Sequence, residues 1–242
     1  MQAPFDFSQA ADLRSIRDRL SAQFGRLPDG ERLDPVSQFV CSFLDSRTPD
    51  QTSWNAFARL IMRYRSWDAV ADAPGADIEA LIHEVNFSER KAPELKGALR
   101  RIRACYGRIS FDFLIALDIE QALFQLEQIH GVGRKIAAAT LNFSSLRGRA
   151  FVVDTHVLRV LRRFGLVGAN AEPDAAYDAV MAVADDFDAD DLRELHWHLK
   201  SLGQKTCSHA QARCASCPLS DMCLQRLEAG AVMAMPVPAC VA

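Results

Sequence analysis

Apolar positions recur every three to four residues along almost the whole chain, the spacing that lays them on one face of a helix. Leu13, Ile16, Arg17 and Leu20 fit this spacing in the first segment, which stops near Gly25 and Pro28. Asp34 followed by Pro35 reads as an N-cap and a first-turn proline, opening a helix that carries Phe39, Val40, Phe43 and Leu44. The pattern predicts a helix over 51–64 with Trp54, Phe57, Ala58, Ile61 and Met62. A short one follows, capped by Asp77, with Ile78, Leu81, Ile82 and Val85. Ser88 opens a long basic helix to about Tyr106, and further helices are expected at 119–127, 134–145, 155–164, 173–185 and 190–200. No alternating stretch is longer than Phe151-Val152-Val153, so the predicted class is all-α. The tail after Gly230, AVMAMPVPACVA, lacks helix signals and is expected to be loose or packed on the surface.

Composition narrows the class. The chain has 242 residues, 49% of them hydrophobic, enough for one large or two small cores. A charged share of 24% excludes wholesale disorder. No apolar run approaches the roughly 18 residues that a membrane span needs, and the start, MQAPFDFSQAADLRSIRDRL, does not read as a secretory leader. The net charge of −3 is not that of a generic nucleic-acid binder, but the distribution is uneven. Residues 172–194 carry −8, which leaves +5 for the remainder. The bases cluster as Arg90, Lys91, Lys96, Arg100, Arg101, Arg103 and Arg108, then Arg134 and Lys135, then Arg147, Arg149, Arg159, Arg162 and Arg163. Either these are solvated helix faces, or they form a basic face that meets a polyanion.

Three constellations carry possible chemistry. The first is Gly131-Val132-Gly133-Arg134-Lys135, a Gly-x-Gly turn between two helices. Its glycines permit close approach of another molecule, and the new helix offers unpaired N–H groups to a phosphate; alone, such a turn is commonly nothing more. The second is Val153-Asp154-Thr155-His156, where Asp154 or Thr155 caps a helix striped with Val157, Val160, Leu161 and Phe164 and ended by Gly165. His156 reads as a structural, hydrogen-bonding histidine. The third is Cys207-x6-Cys214-x2-Cys217-x5-Cys223, four of the seven cysteines within 17 residues. Four thiolates this close suit Zn²⁺ or an iron–sulfur cluster, and spacing alone does not choose. Cys41 and Cys105 read as small core hydrophobes, and Cys240 has no role.

In order and spacing the three together resemble the endonuclease III family of helix-hairpin-helix DNA glycosylases, over roughly Asp34 to Leu224. Leu114 to Val132 and Arg147 to Leu166 are also similar to the plant demethylating glycosylases of that superfamily. The resemblance implies two helical subdomains with a DNA-binding cleft between them. One, 35–148, is a six-helix domain with the hairpin; the other, 1–34 plus 149–242, holds a [4Fe–4S] cluster in the loop 207–223. It implies that Lys135 is the nucleophile and Asp154 the partner carboxylate, on facing walls of the cleft. Gly131, Val132, Gly133 and Arg134 would bind DNA, and Cys207, Cys214, Cys217 and Cys223 would hold the cluster. The partner would be double-stranded DNA with a damaged base or an abasic site. No membrane is involved, and the protein would be a monomer in the bacterial cytoplasm, associated with the nucleoid.

The expected activity is excision of a damaged base, an oxidised pyrimidine first, followed by β-elimination through a lysine Schiff base. Departures from the family pattern bear on this. Asp45-Ser46-Arg47-Thr48-Pro49-Asp50 stands where the family has a Gln-rich loop that fills the gap left by the flipped base, so Arg47 would be the DNA-binding residue there. His130 replaces a usual proline, and the acidic stretch 172–194 is heavy for a DNA binder. Three alternatives stay open: a superfamily glycosylase for a mismatched or methylated base, a non-catalytic DNA-binding iron–sulfur protein, and a zinc-stabilised helical adaptor.

Overall fold

The computed structural model describes residues 7–28 and 30–226, and within them the fold is all helical, with one isolated bridge between Cys207 and Ala212. Cys240 and the tail lie outside the described residues. The helices are α1 (Phe7–Phe24), α2 (Pro35–Asp45), α3 (Asp50–Tyr64), α4 (Trp67–Asp72), α5 (Gly75–Ile82) and α6 (Ser88–Tyr106). They continue as α7 (Ile119–Glu127), α8 (Arg134–Phe143), α9 (Thr155–Phe164), α10 (Pro173–Met181) and α11 (Ala189–Lys205). Short 3-10 turns lie at Asp112–Ala116 and Cys214–Ser216.

The chain packs as two units, one of residues 29–150 and one of 1–28 with 151–242. In the first, α2 lies along α8, and α6 packs on α4 and α5. Asp34 caps α2, its carboxylate accepting from the amides of Val36 and Ser37 at 3.0 Å each. Behind that cap, Phe39, Val40, Phe43 and Leu44 are buried as the pattern predicted. On α8 a run of small side chains, Ala137, Ala138 and Ala139, is at most 2% exposed, so neighbouring backbone can approach that helix closely. In the second unit α11 packs on α9 and α1, so the first helix and the last share one core. Leu13, Ile16 and Leu20 of α1 are fully buried or nearly so.

Some expectations need correction. Asp77 does not cap α5; the helix starts two residues earlier, after Pro74, and Asp77 sits in its first turn. The helix α4 was not predicted, being only six residues long; its cap is Ser66, which accepts from the Ala69 amide. Cys105 is exposed, on the outer side of α6, and is not a core residue.

The basic clusters are largely spent within the protein. On α6, Lys91 turns inward, Lys96 donates to the Ala73 carbonyl and Arg100 to the Ala71 carbonyl. Arg103 forms a forked pair with Asp72 at 2.6 and 2.9 Å. The Lys96 and Arg100 bonds tie α6 to carbonyls at the C-terminal end of α4, which a short helix leaves open. On α9, Arg159 donates to the carbonyls of Gly203 and Cys207, Arg162 to that of Ala171 and Arg163 to that of Ser208.

Candidate active site

In the first unit the hairpin joins α7 to α8. Asp118 opens α7 with a capping box closed by Gln121. The helix ends at Glu127, and Ile129 and Val132 turn their side chains into the core at 8% exposure each. Gly131 has φ +83°, and a Cβ there would lie 3.2 Å from the Phe43 ring and 3.4 Å from Glu94 Oε2. The turn is therefore pressed onto α2 and α6 at a position that both sterics and backbone reserve for glycine. Around Gly133, by contrast, the space within 4 Å is open, so another molecule can reach that backbone. Arg134 Nε donates to Glu127 Oε1 at 2.5 Å, closing the hairpin from α8 back to α7.

Lys135 follows in the first turn of α8. Its side chain is 26% exposed, and Nζ donates to Asp45 Oδ2 at 2.5 Å. Asp45 is the last residue of α2 and begins the loop that holds Arg47. Two further groups meet at this loop. Lys91, 4% exposed, donates from Nζ to the Leu44 carbonyl at 2.8 Å, the Ser46 carbonyl at 2.5 Å and Thr48 Oγ1 at 3.2 Å. Asn86 Nδ2 donates to the Arg47 carbonyl. Arg47 itself is exposed, with φ +56°. Burial brings the Lys91 ammonium down to about 8; Asp45 opposes that shift, while Lys135 and Arg90 add to it.

Asp154 and the cysteines belong to the second unit. Asp154 is the N-cap of α9, its Oδ1 accepting from the amides of His156 and Val157 at 2.8 Å each. His156 Nδ1 lies 3.1 Å from Arg159 Nη2, and its backbone closes against Gly203 of α11, a structural placement. Cys207, Cys214, Cys217 and Cys223 all line one small cavity of about 30 Å³, with Arg163 and Arg213 beside them. None of the four is in a disulfide. Burial pushes the thiols of Cys217 and Cys223 up, and the neighbouring cysteines push the same way. Gly165, at φ +97° after α9, would drive a Cβ into Leu224 at 2.8 Å, so the cysteine loop closes tightly onto that helix end. Among the described residues, no three His, Cys, Asp or Glu are gathered closely enough to hold an ion as they stand. The donor set nevertheless fits a soft metal group in kind: four free thiols around one cavity.

Thus the structure brings Lys135 and the hairpin glycines together with the Arg47 loop, and gathers the four cysteines in the other unit. Sequence reasoning missed Asp45 and Lys91. Asp45 was read only as loop, and Lys91 only as one of a basic cluster; neither has a local pattern that betrays a contact 90 or 47 residues away.

Residues 40–184 match the HhH-GPD superfamily of base excision DNA repair proteins. A protein of Arabidopsis thaliana that carries the name DNA glycosylase is 30% identical over 80% of this chain and 68% of its own length. Endonuclease III-like protein 1 of Gallus gallus is 29% identical over 74% of this chain, which spans 60% of that relative. Endonuclease III of Synechocystis is 28% identical over 78% of this chain and 80% of its own length. The fold is also that of a trapped endonuclease III–DNA covalent intermediate, with TM-score 0.75 at 19% identity, covering 91% of this chain and 98% of that one. The chain belongs to the HhH-GPD superfamily of base excision DNA repair proteins, as a DNA glycosylase of the endonuclease III kind.

Proposed function

We propose that this protein binds double-stranded DNA and removes a damaged base, an oxidised pyrimidine first, then cleaves the abasic strand with Lys135. The observation that carries the reading is Lys135 in the first turn of α8, directly behind the Gly131–Gly133 hairpin, its amine partly exposed and held by Asp45. The open backbone at Gly133 and the start of α8 offer N–H groups to a phosphate beside the lesion. Flipping the nucleotide out of the stack costs a few kcal/mol, which Arg47 helps to recover by filling the space left behind.

The chemistry then follows from the lysine. Its amine, once deprotonated, adds to C1′ of the sugar while the bond from C1′ to the base breaks and the base leaves with the electron pair. The ring bond from C1′ to O4′ then opens, O4′ taking a proton that the nitrogen gives up, and the resulting iminium makes the C2′ proton acidic. Loss of that proton expels the 3′ phosphate and nicks the strand. Asp154, anionic and bonded to two helix amides, supplies the negative charge that steadies the cationic sugar. Cys207, Cys214, Cys217 and Cys223 would hold a [4Fe–4S] cluster whose part is structural, fixing the loop from 207 to 223.

Borohydride reduction of the protein mixed with an abasic duplex tests the reading. Wild type is expected to give a covalent protein–DNA adduct, and Lys135→Ala to give none. Absence of an adduct from wild type refutes the lyase chemistry. A panel of duplexes, each with one modified base, then ranks the lesions; preference for a mismatched thymine or methylated cytosine would move the substrate to another branch of the superfamily.

A further inference from the structure

A lysine buried to 4% exposure is an expensive way to fill space, since an apolar side chain would do so without desolvating a charge. Lys91 reaches from α6 across to the far side of the site and satisfies three acceptors there: the carbonyls of Leu44 and Ser46 and the hydroxyl of Thr48. Two of these acceptors flank Asp45, and two flank Arg47. The loop also closes on itself through the Thr48 amide and the Asp45 carbonyl at 3.1 Å. Its one residue of positive φ, Arg47, is exposed at the apex, with its carbonyl taken by Asn86. Lys91 thus fixes both ends of a tight loop, one end bonded to Lys135 and the other presenting Arg47.

The geometry points to Lys91 as a positioning residue: it locks the loop 45–48 so that Asp45 stays on Lys135 while Arg47 is held outward for insertion beside a lesion, without Lys91 touching DNA. The part concerning DNA rests on the glycosylase reading; the locking does not. Around the Lys91 amine stand Asp45 from α2, Lys135 from α8, and Arg90 and Glu94 from α6. The charge is held at the foot of ordinary alkaline conditions, at about 8. Opening the loop would return the amine to solvent, where it holds its proton more tightly, so the loop opens less readily as pH rises past that value.

The test uses the full chain with Lys91→Met, and Thr48→Val as a milder change should Lys91→Met fold poorly. Tryptic cleavage after Arg47 in the native protein reads the lock. It is expected to quicken about tenfold in Lys91→Met and a few-fold in Thr48→Val. In wild type, amide exchange of the loop, corrected for its intrinsic pH dependence, should fall past pH 8 and in Lys91→Met stay level. The functional arm compares affinity for a duplex with a tetrahydrofuran abasic analogue against an undamaged duplex. The preference for the analogue should fall about tenfold in Lys91→Met at unchanged affinity for undamaged DNA, a split that mere loss of stability does not produce. Unchanged cleavage and unchanged exchange overturn the lock. A looser loop with unchanged preference overturns the role in DNA. Should wild type show no preference for the analogue, the glycosylase reading falls, and the lock is still decided by the cleavage arm.

Discussion

At the scale of single residues, the site is a compact set of charges around one loop. Asp45 holds the amine that is to react, and that bond has to break before the nitrogen can reach a sugar carbon. Asp45→Asn is therefore expected to speed formation of the borohydride-trapped adduct several-fold in neutral buffer. Slower trapping would mean that Asp45 takes the proton itself. Lys91 makes a prediction in pH. Its folded-state value is depressed below that of an unfolded lysine, so the unfolded chain binds this proton more tightly. The cost to stability is full below about pH 8 and is relieved as pH rises from there toward the ordinary lysine value. Urea unfolding at several pH values should show wild type gaining on Lys91→Met across that window, by at most about 3 kcal/mol. A constant difference would contradict the placement. Of these residues the sequence displayed Lys135, because it sits at a helix start with a recognisable neighbourhood. Asp45 and Lys91 acquire meaning only through contacts made after α2, α6 and α8 have packed.

At the scale of elements, helix periodicity was enough to place most of the helices, and their starts were legible where a side chain does the capping. Asp34, Asp118 and Asp154 cap α2, α7 and α9 through their own carboxylates. Reading failed where the cap has no side-chain signal: α5 begins after a proline with no cap bond. It also failed for α4, whose six residues are too few to show a period and whose ends are secured from outside by Lys96 and Arg100. The hairpin was visible as a Gly-x-Gly turn, but only the packed structure separates its two glycines. Gly131→Ala meets both a positive φ and the Phe43 ring, and is expected to cost about 1–3 kcal/mol in urea unfolding. Gly133→Ala meets open space and should cost little stability while weakening binding to abasic duplex, since its methyl group stands where a phosphate would approach. Equal stability losses at both sites would contradict this division.

At the scale of the whole molecule, the charge pattern left two readings open. The basic stretch from Arg90 to Arg108 suggested a surface for a polyanion, yet Lys96, Arg100 and Arg103 are engaged with α4. Lys96→Gln and Arg100→Gln should therefore leave the salt dependence of DNA binding unchanged, whereas removal of a phosphate-contacting cation would lower the slope by about one. Either variant flattening the slope would return these bases to the DNA interface. The four cysteines were legible as a group because their spacing is short, and the fold does bring them around one cavity. What the spacing does not reveal is the metal. Purified protein holding a cluster should be straw-brown and contain iron, and a colourless zinc protein would replace that assignment. The account as a whole turns on which amine forms the bond to DNA. The chain has five lysines, and Lys91 lies close enough to the site to be a rival. Peptide mass spectrometry of the borohydride-reduced adduct with an abasic duplex decides between them: the account predicts the sugar remnant on Lys135, and its appearance on Lys91 or on the terminal amine would contradict it.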